Sequence, residues 1–258
     1  MSMIDFSINI LLDWINQNIW AIARVNGLFI SAPVFNEKVI PRKIKILISV
    51  LFSFLVSQEL PLNNISIISI EGFYVLIIQI IIGFFIGLIL QLSFCSIKFS
   101  GELIGLQMGL SFAVFFDHIS GPNSPIISRF FNLILILIFL SFDAHLTVLD
   151  ILFNSFKLIP IGINFKFNDE IFFSIINFSG IIFANGLFLS IPSITMLLSL
   201  NILFGILNRF TPQFSIFVIG FSLTLLIGLL SIYIILNNFQ KLSTDLIFNT
   251  FKYIYNFF

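Results

Sequence analysis

Charged residues are scarce in this chain of 258 residues. Asp, Glu, Lys and Arg together make up 9% of it, with twelve residues of each sign and a formal net charge of zero. Hydrophobic residues make up 59%, and the mean hydropathy of +1.13 is well above that of a soluble domain. We therefore predict an integral membrane protein. So few cations provide no basic surface that could follow a phosphate backbone, and nucleic-acid binding is not expected.

Cysteine and histidine are nearly absent, and this removes most metal and redox sites. Cys95 is the single cysteine, so the chain has neither an internal disulfide nor a cluster of thiolate ligands. The two histidines, His118 and His145, belong to no HExxH pattern, and no GxSxG pattern is present. The sequence predicts no metal site, no cofactor and no enzymatic activity.

Long apolar runs are abundant, and they predict an all-α, polytopic membrane protein with about six hydrophobic helices. The predicted helices cover Trp14 to Ala32, Ile44 to Val56, Gly72 to Ile97, Ile126 to Phe156, Ile171 to Leu203 and Gln213 to Leu236. The fourth is long enough to be interrupted, and Pro192 is expected to bend the fifth. Residues 237–258 are predicted to form an amphipathic C-terminal tail along a surface. We treat residues 1–258 as a single membrane domain.

Several polar side chains fall inside these apolar runs, where contact with hydrocarbon would be costly. Arg24 lies in the first predicted helix, and Asp143 and His145 lie in the fourth. We expect these three residues, together with Glu102 and Arg209, to be buried against protein. A proton relay through Asp143, His145 and Asp150 is the alternative to paired charges at a helix interface. Gly83 and Gly87 form a GxxxG pair and are predicted to pack closely against another helix.

The stretch from Lys98 to Pro125 is neither clearly membrane-spanning nor clearly soluble. Gly101, Gly105 and Gly109 recur every four residues and form a ridge that another backbone can approach. Apolar residues follow, and then Gly121, Pro122 and Pro125 interrupt regular structure. This pattern is consistent with a re-entrant loop that lines a passage. An ordinary amphipathic connector explains the same pattern.

Two long motifs resemble the FliR/SctT family of protein-export subunits. They are GELIGLQMGLSFAVFFD, from Gly101 to Asp117, and LNRFTPQFSIFVIGFSLTL, from Leu207 to Leu225. A third stretch, DAHL from Asp143 to Leu146, departs from the Asn-Gly-His-Leu pattern expected of that family.

The resemblance implies a non-enzymatic subunit of the flagellar type III protein export gate, in the bacterial inner membrane and the flagellar basal body. FliP and FliQ are the implied partners in a pore-containing complex with which FlhB and FlhA associate. Unfolded flagellar axial proteins are the implied substrates, membrane lipid surrounds the complex, and the apparent spans are expected to form bent hairpins. A small-solute transporter or channel is the alternative function.

The same resemblance places a pore plug at Gln107 to Phe116. We predict a flexible apolar seal there, with Gly105 and Gly109 allowing it to move or pack and with Glu102 and Arg209 orienting it. The predicted plug residues are Met108, Gly109, Leu110, Ser111, Phe112, Val114, Phe115 and Phe116.

Overall fold

The protein is all-α over the residues that its computed structural model describes, which are 18–37, 40–57, 69–110, 125–162, 169–210 and 216–257. The first helix, α1, covers residues 18–31 of the described range. The others are α2 (Arg42–Ser57), α3 (Ile70–Gln107), α4 (Ile126–Ser141), α5 (Ala144–Leu158), α6 (Asp169–Ser179), α7 (Ile181–Phe210) and α8 (Ile216–Phe257). The predicted all-α class is confirmed.

Helix α3 is longer than the sequence pattern indicates. It runs through the predicted boundary at Ile97 and ends at Gln107. Gly101 and Gly105, which lower helix propensity, sit on its last turns and are both buried. Tertiary packing therefore sustains the helix where its local sequence is weak.

The predicted fourth helix is divided into α4 and α5. Phe142 ends α4, and Asp143, with φ of 51°, adopts the left-handed conformation in front of α5. A residue in this conformation cannot continue a right-handed helix. The interruption thus occurs at one position, Asp143.

The predicted fifth helix is also interrupted, at a single residue. The break between α6 and α7 falls at Gly180, whereas α7 continues through Pro192 to Phe210. Glycine lacks a side chain that would restrict its backbone, and the helix is therefore more easily interrupted at Gly180.

Helix α8 is continuous over 42 residues, so the predicted tail at 237–257 is helical and continues the last hydrophobic helix. Neither Gly nor Pro occurs between Ser231 and Phe257, and Phe239, Leu246, Phe251 and Ile254 are all buried. Burial of these side chains stabilises residues 237–257 as a continuation of α8.

Three helical runs are long and apolar enough to cross a membrane among the described residues. They are Ile70–Gln107, Phe173–Phe210 and Gly220–Asn256, and a fourth results if α4 and α5 are counted as one broken span. The chain is therefore a membrane-embedded helical protein.

The chain forms two compact units. Unit 1 comprises Met1–Gln91, Asp143–Asn177 and Thr250–Phe258, and unit 2 comprises Leu92–Phe142 and Phe178–Asn249. In unit 1, Trp20, Leu28 and Ile78 are among the fully buried side chains. In unit 2, the ring of Phe131 lies 5.2 Å from that of Phe239, and the ring of Phe94 lies 5.6 Å from that of Phe139.

Candidate functional site at the end of α3

The end of α3 is closed by a helix stop that depends on glycine. The N–H of Leu110 donates to the carbonyl of Gly105, and the N–H of Gly109 donates to the carbonyl of Leu106, both at 3.0 Å. Gly109 has a φ of 78°. These two bonds and the positive φ define a Schellman motif, which satisfies carbonyls that a helix end otherwise leaves unpaired. The chain therefore leaves α3 in a defined direction.

Met108 fixes this helix stop to α8 within unit 2. Its side chain is 1% exposed. A Cβ atom at Gly228 of α8 would lie 2.5 Å from Cγ and 2.6 Å from Cε of Met108. Gly228 thus provides a notch into which the flexible thioether fits, and any larger residue at 228 would displace it.

The glycine ridge of α3 meets the start of α4. A Cβ atom at Gly101 would lie 2.6 Å from Cα of Ser128, so the two backbones are in close contact. At Gly105 the corresponding position is 3.5 Å from Cβ of Pro125, an ordinary van der Waals distance. The chain leaves this region at Leu110 and returns to it at Pro125, so both points lie at the end of α3. We refer to Gly101, Gly105, Met108–Leu110, Pro125–Ser128 and Gly228 as the α3 anchor.

Three of the predicted plug residues, Met108, Gly109 and Leu110, belong to the α3 anchor. The other five lie outside the described residues: Ser111, Phe112, Val114, Phe115 and Phe116. Glu102 is half-buried on α3, and Arg209 is exposed in the last turn of α7.

Arg24 is at the centre of a buried polar cluster in unit 1. It is fully buried, and its Nε and Nη2 atoms donate to Oε1 of Gln79 at 2.8 and 2.5 Å. Nη1 donates to Oγ of Ser155 at 3.0 Å, and Nη2 donates to the carbonyl of Ile159 at 2.9 Å. The ring of Phe156 lies 4.0 Å from Cζ. The guanidinium thus joins α1 and α3 to the end of α5, where a cation also complements the helix dipole.

The partners of Arg24 were not predicted from the sequence. Gln79 stands out as a polar residue in an apolar run, and that is a usable signal. Ser155 and the carbonyl of Ile159 carry no such signal, because serine is common in this chain and a backbone carbonyl leaves no trace in the sequence. Only the fold brings them within hydrogen-bond distance.

Close backbone packing of α1 on α3 surrounds this cluster. A Cβ atom at Gly83 would collide with the carbonyl oxygen of Arg24, and one at Gly87 would collide with Oγ of Ser31. Gly27, which the sequence analysis did not single out, is packed in the same way against the carbonyl oxygen of Ile80. Glycines on both helices therefore permit the close approach.

Two of the residues predicted to be buried are exposed on this chain. Asp143 is exposed because it occupies the turn before α5, and Arg209 is exposed because α7 has few neighbours at its end. His145 is half-buried, and its Nδ1 atom has no hydrogen-bond partner among the described residues. Asp150 instead accepts hydrogen bonds from Tyr255 and Asn154, at 2.9 and 3.2 Å. The described hydrogen bonds thus provide no relay through His145.

The outer face of α7 has no contacts with the described residues that explain its composition. Asn201 and Gly205 are exposed, four residues apart. A Cβ atom at Gly205 would have no heavy atom within 4 Å. Small and amide-bearing residues at this spacing are typical of contacts between membrane helices. This face resembles a contact surface that lacks its partner.

Comparison with known proteins identifies the relatives of this chain. Residues 15–250 match the family described as bacterial export proteins, family 1. The flagellar biosynthetic protein FliR of Pectobacterium carotovorum is 44% identical over 234 residues, covering 91% of this chain and 89% of that protein. FliR of Buchnera aphidicola from Acyrthosiphon pisum is 42% identical, covering 95% and 96%. FliR of Escherichia coli is 39% identical, covering 84% and 83%.

Proposed function

Because this chain belongs to bacterial export protein family 1 and is a membrane-embedded component of a flagellar export apparatus, we propose that it forms part of the conduit of that apparatus. Unfolded flagellar proteins are the proposed cargo. The proposed location is the bacterial inner membrane, within the flagellar basal body. The chain's role there is structural, without enzymatic activity.

The α3 anchor is the observation that supports a seal in this conduit. Gly109 ends α3, and Met108 is held in the notch at Gly228. Gly101 and Gly105 hold the returning chain at Ser128 and Pro125. The segment between Leu110 and Pro125 therefore begins and ends at fixed points. We propose that its apolar residues, Phe112 to Phe116, close the conduit at rest and are displaced by cargo.

The proposed partners are FliP and FliQ within the gate, with FlhB and FlhA associated. The exposed face of α7 supports a polypeptide neighbour, because Asn201 and Gly205 are exposed and Gly205 has no neighbour among the described residues. An exposed amide in hydrocarbon is costly, and a neighbouring helix that accepts its hydrogen bonds removes that cost.

Deletion of residues 111–116 tests the seal, because it removes the apolar segment and leaves the α3 anchor intact. Ion leakage is measured in cells that express the whole apparatus, and the partners that co-purify with the chain are quantified. We expect leakage to rise while assembly persists. Unchanged leakage through a fully assembled complex would refute the seal.

A matched pair of glycine variants tests the anchor without touching the loop. Gly101→Ala collides with the backbone of Ser128 and is expected to raise leakage. Gly162→Ala introduces the same methyl group where no atom of the described residues lies within 4 Å and is expected to leave leakage of assembled complexes unchanged. Equal leakage in the two variants would contradict the proposed role of the anchor.

The alternative of a small-solute transporter has less support. A transporter of this kind needs polar groups that converge on an accessible site near the middle of the membrane. Arg24 is the most prominent buried polar group, but it is fully enclosed and its donors are occupied by Gln79, Ser155 and Ile159.

A further inference from the structure

Helix α2 has its polarity reversed with respect to a helix of a soluble protein. The two serines in its middle, Ser49 and Ser53, are buried at 0% and 1% exposure. Its large apolar side chains point outward and recur at spacings of three and four residues. These exposed residues are Ile44, Ile46, Leu47, Val50, Leu51, Phe54 and Leu55. We call them the outer face of α2.

The outer face of α2 has no hydrogen-bonding side chain. The hydroxyls of Ser49 and Ser53 point inward and donate to the carbonyls of Ile46 and Val50 in their own helix, at 2.7 and 2.8 Å. Interfaces between proteins usually contain about one hydrogen bond per 100–200 Å² and a polar rim. Between Ile46 and Leu55 the outer face of α2 offers a protein partner no hydrogen-bonding group, and in this it differs from the α7 face with Asn201 and Gly205.

Positive charge is concentrated at one end of this face. Lys43 is exposed and Lys45 is half-buried, both in the first turn of α2. Lysines at the end of an apolar helix place their ammonium groups among lipid headgroups while their alkyl chains lie along the apolar surface. Anionic headgroups complement this charge. The helix has 16 residues and is about 24 Å long, shorter than the hydrocarbon core of about 30 Å.

We propose that the outer face of α2 is a lipid-binding surface, which lies against the acyl chains of anionic phospholipids with Lys43 and Lys45 at their headgroups. Because α2 is shorter than the hydrocarbon core, it enters the bilayer from its basic end and does not cross it alone. The inference rests on the embedding of the chain in a membrane and is independent of the proposed conduit.

Photo-crosslinking in cells distinguishes a lipid from a protein at this face. Leu51, which is 59% exposed, is replaced by p-benzoylphenylalanine in cells that express the complete apparatus. We expect adducts whose added mass is that of a phospholipid. The same replacement at Leu203 of α7, which is 51% exposed, is the matched control and is expected to give adducts with a polypeptide.

A polypeptide adduct at Leu51 would overturn the proposal, because a partner subunit would then cover α2. Failure of Leu51 to form any adduct, while Leu203 reacts, would also overturn it, since another part of this chain would then cover the face. Neither result would bear on the α3 anchor.

The headgroup preference is measured by fluorescence quenching in reconstituted complexes. The Leu51→Trp variant is placed in nanodiscs that contain either brominated phosphatidylglycerol or brominated phosphatidylcholine, and the signal of the unsubstituted chain is subtracted. We expect stronger quenching by phosphatidylglycerol. Adding Lys43→Gln is expected to lower this preference about fivefold, because one lysine near an anionic surface contributes about 1 kcal/mol to lipid binding. Adding Lys241→Gln on α8 is the control and is expected to leave the preference unchanged. If the two lipids quench the Leu51→Trp variant equally when both lysines are retained, the headgroup assignment is refuted.

Discussion

At the scale of single residues, glycine decides how closely the helices of unit 1 approach. Gly27, Gly83 and Gly87 each face backbone or short side-chain atoms that a methyl group would overlap. Backbone atoms cannot rotate away as a long side chain can, so an added methyl group must separate the helices. The close packing in turn brings Arg24 to Gln79.

The Gly83→Ala variant is expected to destabilise the protein. The new methyl group collides with the carbonyl of Arg24, and overpacking of this kind costs about 1–3 kcal/mol. Thermal unfolding in detergent checks the prediction, with Gly162→Ala as the control, because a Cβ there has no neighbour within 4 Å. If Gly83→Ala unfolds at the temperature of the unsubstituted chain, the tight crossing is not part of the folded protein in detergent.

The Arg24 cluster allows a second prediction, about the stability of variants that change the buried cation or its neutral partner Gln79. Gln79→Leu removes the acceptor of two hydrogen bonds from the guanidinium and leaves a buried cation underpaired. The expected loss of stability is about 3 kcal/mol, by analogy with other buried charges that lose a partner. The double variant Arg24→Met, Gln79→Leu removes both groups and is expected to be less damaging than Gln79→Leu alone.

A double-mutant cycle on unfolding free energies checks this order. Additive losses from Arg24→Met and Gln79→Leu would mean that the two side chains do not depend on each other, contrary to their hydrogen bonds. Arg24→Lys serves as the control for charge, because an ammonium keeps the charge but cannot reproduce the planar fork of donors.

At the scale of helices, the breaks and the continuations have different causes. The break at Asp143 is set by its own backbone, which adopts a positive φ. The continuation of α8 past Leu236 is set by packing, because Phe239, Leu246 and Ile254 are buried one after another along it. Its end is also held by the hydroxyl of Tyr253, which donates to the carbonyl of Ser174 at 2.7 Å.

Variants at Asp143 can show whether its backbone conformation or its carboxylate matters for stability. Asp143→Asn and Asp143→Gly are expected to keep the stability of the protein, because both residues tolerate the left-handed conformation. Asp143→Val is expected to cost about 1–2 kcal/mol, the penalty of that conformation for other residues. Unfolding of the three variants in detergent provides the comparison. If Asp143→Asn were as damaging as Asp143→Val, the carboxylate rather than the backbone would be essential.

The sequence predicted which regions are helical better than where the helices end. Apolar runs located every helix of the described range, since hydrophobicity is a local property of the chain. The extension of α3 over Gly101 and Gly105 was missed, because it depends on contact with Ser128 and Pro125, which are distant in sequence. The interruption at Gly180 was also missed, while the bend expected at Pro192 stays a prediction. Arg24 was found, whereas Ser155 and Ile159, two of its partners, were not.

At the scale of the whole molecule, the chain exposes two apolar surfaces of different character. The outer face of α2 belongs to unit 1 and has no exposed polar side chain between Ile46 and Leu55. The outer face of α7 belongs to unit 2 and carries Asn201 and Gly205. Lipid requires only that no polar group remain unpaired, whereas a neighbouring helix benefits from small residues and hydrogen bonds. A chain with both surfaces is therefore built for a membrane and for assembly.

Gly205→Leu is expected to separate folding of the chain from its assembly. The position has no neighbour within 4 Å among the described residues, so a larger side chain meets no obstacle there. Replacing glycine in a helix interior adds up to about 1 kcal/mol of stability. The purified chain should therefore unfold at the same temperature or a higher one. A partner helix that packs closely on Gly205 would be displaced, and less of the other export-apparatus subunits should co-purify. Gly162→Leu provides the matched control, because it also lies in open space but outside any helix. Undiminished co-purification with Gly205→Leu would place the partner elsewhere and leave the exposed Asn201 without an explanation.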